Sequence, residues 1–381
     1  MEIQDFFQPL DINKLPPESY FEEGSWYHSI EMYKGALPKI AGKKIALIGI
    51  ETPDDKIFAS YEVRKYLYSL KKHENAAAVV DIGNYRFDYS TKAYQSLGYV
   101  LSELMTKDIT PVILNGMQDI TFAQYLAFVY LKRYVNLVTF DARLNFHLRE
   151  SEKMNDGNYL QKILTEEPNY LFSYSDIGYQ GHFADTAILN FLENLFFDMH
   201  RLSDIRSNII DIEPVLRTAH FVSWDLCAVR QSEAPGAINP SPNGFFGEEA
   251  CLLSRYAGLG SNLKTIGFYQ YDLSKDRDGQ TAHLVAQMIW YFIDGFLNRY
   301  LEHPNESKDD FLKYTASIQN NAYNIVFYKS KRTDRWWMEV PVNEKDFAAT
   351  NYIMPCSYND YLAAAREELP DRWWRAMKKL A

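Results

Sequence analysis

The chain has 381 residues, of which 47 % are hydrophobic and 15 % aromatic. That is enough for a sizeable core in one large or two smaller α/β domains, and it excludes a disordered chain. A formal charge of −10 and a pI near 5.4 leave no overall basic footprint for nucleic acid or an anionic membrane.

The first forty residues, with Pro16-Pro17 and Glu22-Glu23-Gly24, read as an irregular arm. The N-terminus carries no basic n-region and no apolar h-region, so no signal peptide is expected. From Lys44 onward, short β-rich runs alternate with helical patterns. The run 44–50 (KIALIGI) is almost wholly apolar, the pattern of a central strand buried on both faces. Further strands are predicted at 77–82, 111–114, 136–140, 170–174, 220–224 and 265–271, and helices at 94–104, 121–134, 247–257 and 281–300. Such alternation predicts a mostly parallel sheet covered by helices. The most apolar helical stretch, 284–296, contains Gln287 and Asp294 and is too short to span a bilayer. Residues 302–310 are polar and read as a loop. Near the C-terminus, 324–328 and 336–340 read as a hairpin, 359–368 as a helix, and the Arg-Trp-Trp sequence at 372–374 as packing rather than base stacking.

Three cysteines, Cys227, Cys251 and Cys356, form neither a CxxC pair nor a disulfide framework, as expected in a reducing compartment. A cytoplasmic protein with no membrane and no nucleic-acid partner is the expectation.

In a parallel α/β sheet, ligand sites lie beyond the carboxyl ends of the strands. Three polar motifs fall there: Asn115-Gly116-Met117-Gln118-Asp119, Asp141-Ala142-Arg143-Leu144-Asn145, and Ser223-Trp224-Asp225-Leu226-Cys227-Ala228-Val229-Arg230. Over about residues 40–300 their order and separation resemble the ureohydrolase family (arginase, agmatinase and formimidoylglutamase), with the layout nearest to formimidoylglutamase. The second motif sits on the family's Asp-Ala-His-x-Asp, the third on Ser-x-Asp-x-Asp-x-x-Asp, and the first on a Gly-Gly-Asp-His segment. Ala234-Pro235-Gly236 continues the family's loop, and Gln270 stands where the family has a glutamate for the substrate guanidinium.

The resemblance implies a three-layer α/β/α arginase-like fold with a mostly parallel sheet and a C-terminal extension. The expected division is an arm at 1–40, an α/β domain at 41–323, and a hairpin and helical extension at 324–381. It also implies two manganese ions held by four aspartates and two histidines, with a metal-bound hydroxide attacking a guanidinium or formimino carbon. This chain departs from that set. Gln118 and Arg143 occupy the histidine positions, Asn145, Cys227 and Arg230 occupy aspartate positions, and only Asp141 and Asp225 remain as candidate metal ligands.

Two carboxylates and two guanidiniums sum to zero, as four carboxylates and two divalent cations do. This predicts that Arg143 and Arg230 replace the metals in an ion-pair cluster with Asp141 and Asp225. A non-catalytic ureohydrolase relative is therefore expected, with no catalytic residue and no cofactor, acting as a binding or scaffold protein. Its partner is an unidentified protein or a small carboxylate or guanidino ligand, and a homo-oligomer is expected. The alternative is an active manganese hydrolase cleaving a C–N bond of a guanidino or formimino compound. Two smaller questions stay open: whether Cys227 is an activated thiolate or an inert buried thiol, and whether His182 lies at the site edge or is an ordinary surface or core histidine.

Overall fold

The computed structural model describes residues 3–52, 59–147, 153–318, 323–342 and 351–380. Ten strands form the main sheet: β1 (Phe7–Gln8), β2 (Glu31–Met32), β3 (Ile45–Glu51), β4 (Val79–Arg86), β5 (Thr110–Leu114), β6 (Val135–Phe140), β7 (Leu171–Tyr179), β8 (Asp198–Arg201), β9 (Phe221–Asp225) and β10 (Thr265–Tyr269). Their order is β1-β4-β3-β5-β10-β9-β6-β7-β8, with β2 added beside β4. Every pairing in this sheet is parallel except β1 with β4. The irregular arm thus supplies two short strands to the sheet edge.

The apolar runs dictate the layering. In β3, Ile45 and Leu47 point into one core, while Ala46, Ile48 and Ile50 point into the other, and all five are at most 1 % exposed. The first core is closed by α1 (Ala59–Ser69), and by α8 (Gly247–Leu259) and α9 (Gln280–Leu297). The second is closed by α2 (Thr91–Thr106), α3 (Thr121–Leu131) and α4 (Tyr159–Thr165). The three-layer α/β/α expectation holds.

Small residues let α8 and α9 approach closely. A Cβ on Gly258 would meet the Phe292 carbonyl oxygen at 2.2 Å, and one on Gly295 the Arg255 carbonyl oxygen at 2.3 Å. The helix expected to run to residue 300 stops at Leu297. Four shorter segments without a strong sequence pattern complete the body: α5 (Thr186–Asn194), β8, α6 (Leu202–Ser207) and α7 (Glu213–Thr218).

The C-terminal part is a second, four-stranded antiparallel sheet of β11 (Phe311–Ile318), β12 (Tyr323–Ser330), β13 (Trp336–Val340) and β14 (Tyr352–Cys356). The expected hairpin is β12–β13, with Phe327 opposite Met338. It gains a partner on each side, so residues 311–318 pair with this sheet. Helices α10 (Tyr358–Ala365) and α11 (Asp371–Leu380) pack on one of its faces. Trp373 is 2 % exposed and its indole N–H donates to the Glu339 carbonyl at 2.8 Å. Trp336 and Trp337 are buried as well. Buried Arg217 of α7 ties the two sheets together: it donates to the carbonyls of Trp336 (3.1 Å) and Cys356 (3.4 Å) and lies 4.4 Å above the Trp337 ring.

Candidate active site

Four adjacent strands, β5, β10, β9 and β6, present their carboxyl ends side by side. Register fixes what meets there. Phe140 is opposite Trp224, and their rings stack at 3.7 Å and 4°. The residue after β6 is Asp141, and the last of β9 is Asp225, so the two carboxylates leave the sheet as neighbours. Gln118 follows β5 and Gln270 follows β10.

The two strand ends at β5 and β10 share an unusual backbone. Asn115 and Gln270 both adopt φ of 69°. Asn115 N–H donates to the Phe268 carbonyl and Gln270 N–H to the Gly116 carbonyl, each at 2.9 Å. Left-handed non-glycine residues cost free energy and cluster where a site over-determines them.

Asp141 is 1 % exposed, and its oxygens are occupied by hydrogen-bond donors. Oδ1 accepts from the Arg143 backbone N–H (2.8 Å) and the Cys227 thiol (3.3 Å), while Oδ2 accepts from Asn145 Nδ2 at 2.6 Å. The same amide nitrogen donates to Gln118 Oε1. Asp225 accepts from the Cys227 backbone N–H at 2.7 Å. Asp141, Asp225 and Cys227 each place one potential ligand atom within 4.8 Å of the others.

The expected ion-pair cluster does not form. No described carboxylate lies within ion-pair distance of Arg143 or Arg230. The Arg143 guanidinium lies 4.2 Å from the centre of the Phe183 ring, and that of Arg230 lies 3.6 Å from Phe246. Phe246 also has Arg206 at 5.1 Å. A weakly hydrated guanidinium stacks well on an aromatic face, and both rings are partly exposed, so the cations keep some water. Arg143 Nη1 and Arg230 Nε are buried without a hydrogen-bond partner among the described residues.

Buried together, the carboxyls hold their protons more tightly. Burial pushes Asp141 up to about 6, opposed by the Arg143 N–H, the Cys227 thiol, Gln118 and, weakest, the Arg143 charge. Burial and then the Asp141 charge push Asp225 well above the carboxylate range. Asp176, in β7, behaves likewise for the same two reasons. It accepts from Thr139 (2.9 Å) and Tyr174 (3.0 Å). Sequence reasoning missed Asp176 because it lies inside a strand run with no motif around it. Asp119, bonded by Tyr94 at 2.7 Å, is pushed up to about 6, chiefly by burial.

Cys227 is not an activated nucleophile. Burial first, then the charges of Asp141 and Asp225, push its thiol well above the usual value. His182 is exposed and its ring lies beside Phe183. Gln270 Nε2 donates to Asp156 at 3.0 Å, which brings the 153–158 loop to the site, while its Oε1 is buried and unpartnered. Asp156, in the Asp-Gly-Asn sequence at 156–158, thus meets the end of β10.

A doubly wound sheet with carboxyls gathered at the ends of β6 and β9 defines the arginase-type α/β/α class. Comparison with known proteins agrees, since the Arginase family profile matches residues 51–294. The chain belongs to the arginase family. It is similar to formimidoylglutamase of Staphylococcus aureus (strain bovine RF122 / ET3-1), 24 % identical over 226 residues, covering 57 % of this chain and 72 % of the relative. Among solved structures it resembles formimidoylglutamase of Bacillus subtilis, with TM-score 0.62 and 20 % identity over 73 % of this chain and 93 % of that one. It also resembles Trypanosoma cruzi formiminoglutamase with Mn2+, with TM-score 0.60 and 15 % identity over 70 % and 100 % of the two chains. Proclavaminate amidino hydrolase of Streptomyces clavuligerus gives TM-score 0.60 and 16 % identity over 74 % and 100 %. These structural likenesses concern the fold. Among the described residues no helix is long and apolar enough to cross a membrane.

Proposed function

We propose that this protein is a non-catalytic member of the arginase family, a binding or scaffold protein that uses the old catalytic cleft without hydrolysis. The observation that carries this reading is the hydrogen-bond set around Asp141, in which both oxygens accept from protein donors. Asn145 Nδ2 lies between Asp141 and Gln118, and the Cys227 thiol and the Arg143 N–H take the other Asp141 oxygen.

A pair of manganese ions does not fit these residues. Divalent manganese needs several oxygen or imidazole ligands with free lone pairs. Here two aspartates and a protonated thiol converge, and three of the about four lone pairs of Asp141 already receive N–H or S–H donors. Arg143 offers only further donors. The neutralising role assigned to metals in the family falls to protons and amides in this chain, not to the arginines.

The guanidiniums of Arg143 and Arg230 keep unmet N–H groups, and Gln270 keeps an unmet carbonyl oxygen. Buried polar atoms of both senses favour a small ligand with a carboxylate for the arginines and an N–H for the amide. The rival reading, hydrolysis of a guanidino or formimino compound, draws its support from the names of the relatives, and a fold does not carry its chemistry with it.

The test is elemental analysis of protein produced with added manganese, alongside urea and formamide release from arginine, agmatine and formimidoylglutamate. Sub-stoichiometric metal and no turnover are expected. About two manganese ions per chain together with turnover would overturn the proposal.

A further inference from the structure

On the side of the sheet opposite the strand-end site, α11 of the extension closes over the starts of β6, β7 and β8 and the end of α7. The junction forms a partly open cavity of about 80 Å³. One water needs roughly 10–15 Å³ measured this way, so the space accommodates a small polyatomic ion. Its lining is strongly basic: Arg372, Arg375 and Lys379 come from α11, against one acidic side chain, Asp198.

The two arginines are already engaged. Arg372 pairs with Asp360 at 3.3 Å and donates to the Asp211 carbonyl at 3.1 Å. Arg375 pairs with Asp371 at 2.8 Å and with Asp198 at 3.8 Å. Lys379 is different. Its Nζ is buried with no hydrogen-bond partner among the described residues and lies 4.8 and 5.4 Å from the ring centres of Phe172 and Phe197. Ring faces attract an ammonium but accept none of its three N–H bonds in ordinary geometry. Burial pushes this amine down to about 8, opposed by the charge of Asp198 across the cavity, with which it makes no hydrogen bond.

A second residue of the lining also carries an orphaned atom. Asn136 donates through Nδ2 to the Thr218 carbonyl at 3.0 Å, but its Oδ1 is buried and receives nothing. The cavity therefore offers an unmet cationic donor and an unmet neutral acceptor, with the hydroxyl-bearing Ser173 and Ser175 beside them. A bare cation site would need only the acceptor, and an apolar ligand would need neither.

We propose that this cavity is a binding site for a small oxyanion that keeps a proton, of the inorganic phosphate class. Its oxygens accept from Lys379 and the serine hydroxyls, and its remaining O–H donates to Asn136 Oδ1. Sulfate matches the size and charge but lacks that O–H at neutral pH, so it satisfies only half of the orphaned groups. The bound ion clamps the last helix of the extension to the starts of the parallel strands.

The experiment is calorimetric titration of the full chain with inorganic phosphate, sulfate and acetate at pH 7.5, repeated on Lys379→Met and Lys378→Met. Lys378 is an exposed neighbour beside Trp374, so its variant carries the same change in net charge. Phosphate is expected to bind the parent more tightly than sulfate or acetate. Lys379→Met should weaken phosphate tenfold or more, the loss of one charge-assisted hydrogen bond, and Lys378→Met should leave it unchanged. Absence of phosphate binding by the parent, equal phosphate affinity in both variants, or preference for sulfate or acetate would each overturn the proposal. If Lys379→Met fails to fold, amide exchange in the parent decides. Phosphate must then slow exchange in residues 371–380, and slowing confined to other segments counts against the site.

Discussion

Asn145 Nδ2 lies 2.6 Å from Asp141 Oδ2, and the same nitrogen donates to Gln118. One neutral amide thus joins two positions at which the resembled family has metal ligands. Replacing it with a carboxylate removes both donated hydrogen bonds and sets a second acid against Asp141. Asn145→Asp is expected to lower stability by roughly 2–4 kcal/mol at pH 7.5, the scale for a broken buried network with an unpaired charge. The penalty should shrink toward pH 5, where the acid pair shares a proton. Urea unfolding at the two pH values measures it. Adding Arg143→His to this change should not produce hydrolysis with manganese, because Gln118, Cys227 and Arg230 still stand in ligand positions.

Cys227 gives a chemical check on the same cluster. Its thiol donates to Asp141 and is held protonated by burial and by two neighbouring carboxyls. Thiolate, not thiol, reacts with alkylating agents. In the folded protein at pH 8, iodoacetamide should leave Cys227 unmodified over hours and label it within minutes in urea. Peptide mass spectrometry distinguishes it from Cys251 and Cys356. Rapid native labelling of Cys227 would return the thiolate reading to contention.

The pH dependence of stability carries a sign that can be assigned to single groups. Burial, with Arg133 and Lys264 nearby, holds His220 down at about 4, and its Nδ1 accepts from the Asn136 N–H at 3.1 Å. The unfolded chain protonates this histidine near 6.5. Stability from neutral His220 is therefore fully present above about 6.5 and is lost as pH falls toward 4, by up to roughly 1.4 kcal/mol per pH unit. Asp119, raised to about 6, has the opposite slope: its contribution is fully present below the unfolded value near 3.9 and is lost as pH rises through 6. Subtracting the urea-unfolding profile of His220→Asn from that of the parent between pH 4.5 and 7 isolates the histidine, and the difference should fall as the solution is acidified.

Much of the fold was legible because the central strands are continuous apolar runs, and Ile45 to Ile50 can hardly be placed anywhere but between two helical layers. Strand β11 was not legible as part of the second sheet. Its exposed residues alternate irregularly, and its pairing depends on β12, which begins only at Tyr323. At the site, the positions were legible from motif spacing, and the structure brings Gln118, Asp141, Asn145, Asp225 and Cys227 together. The direction of the two guanidiniums was not. It is set by Phe183 and Phe246, which lie 40 residues beyond Arg143 and 16 beyond Arg230 by the numbering. Charge summation counted the arginines correctly and placed them wrongly, because a desolvated pair with carboxylates costs more than stacking beside water. A fully buried ion pair does form elsewhere: Arg64 and Asp81 pair at 2.7 Å between α1 and β4.

Arg217 makes the strongest prediction about the extension. It is 4 % exposed, pairs with Glu213 at 3.0 Å, and reaches two backbone carbonyls of the second sheet while lying over Trp337. Burial lowers its pKa, yet a guanidinium stays charged at any ordinary pH, so the contacts persist. Arg217→Ala leaves two carbonyls without that donor and opens space beside an indole. Glu213 keeps Arg335 at 3.3 Å, which limits the loss. The expected cost is about 2–4 kcal/mol, concentrated at the junction. Limited proteolysis should therefore release fragments cut between the main sheet and residues 311–380 in the variant before the parent is cut at all. A variant that resists protease as the parent does would mean that the helices of the extension, and not Arg217, hold the second sheet in place.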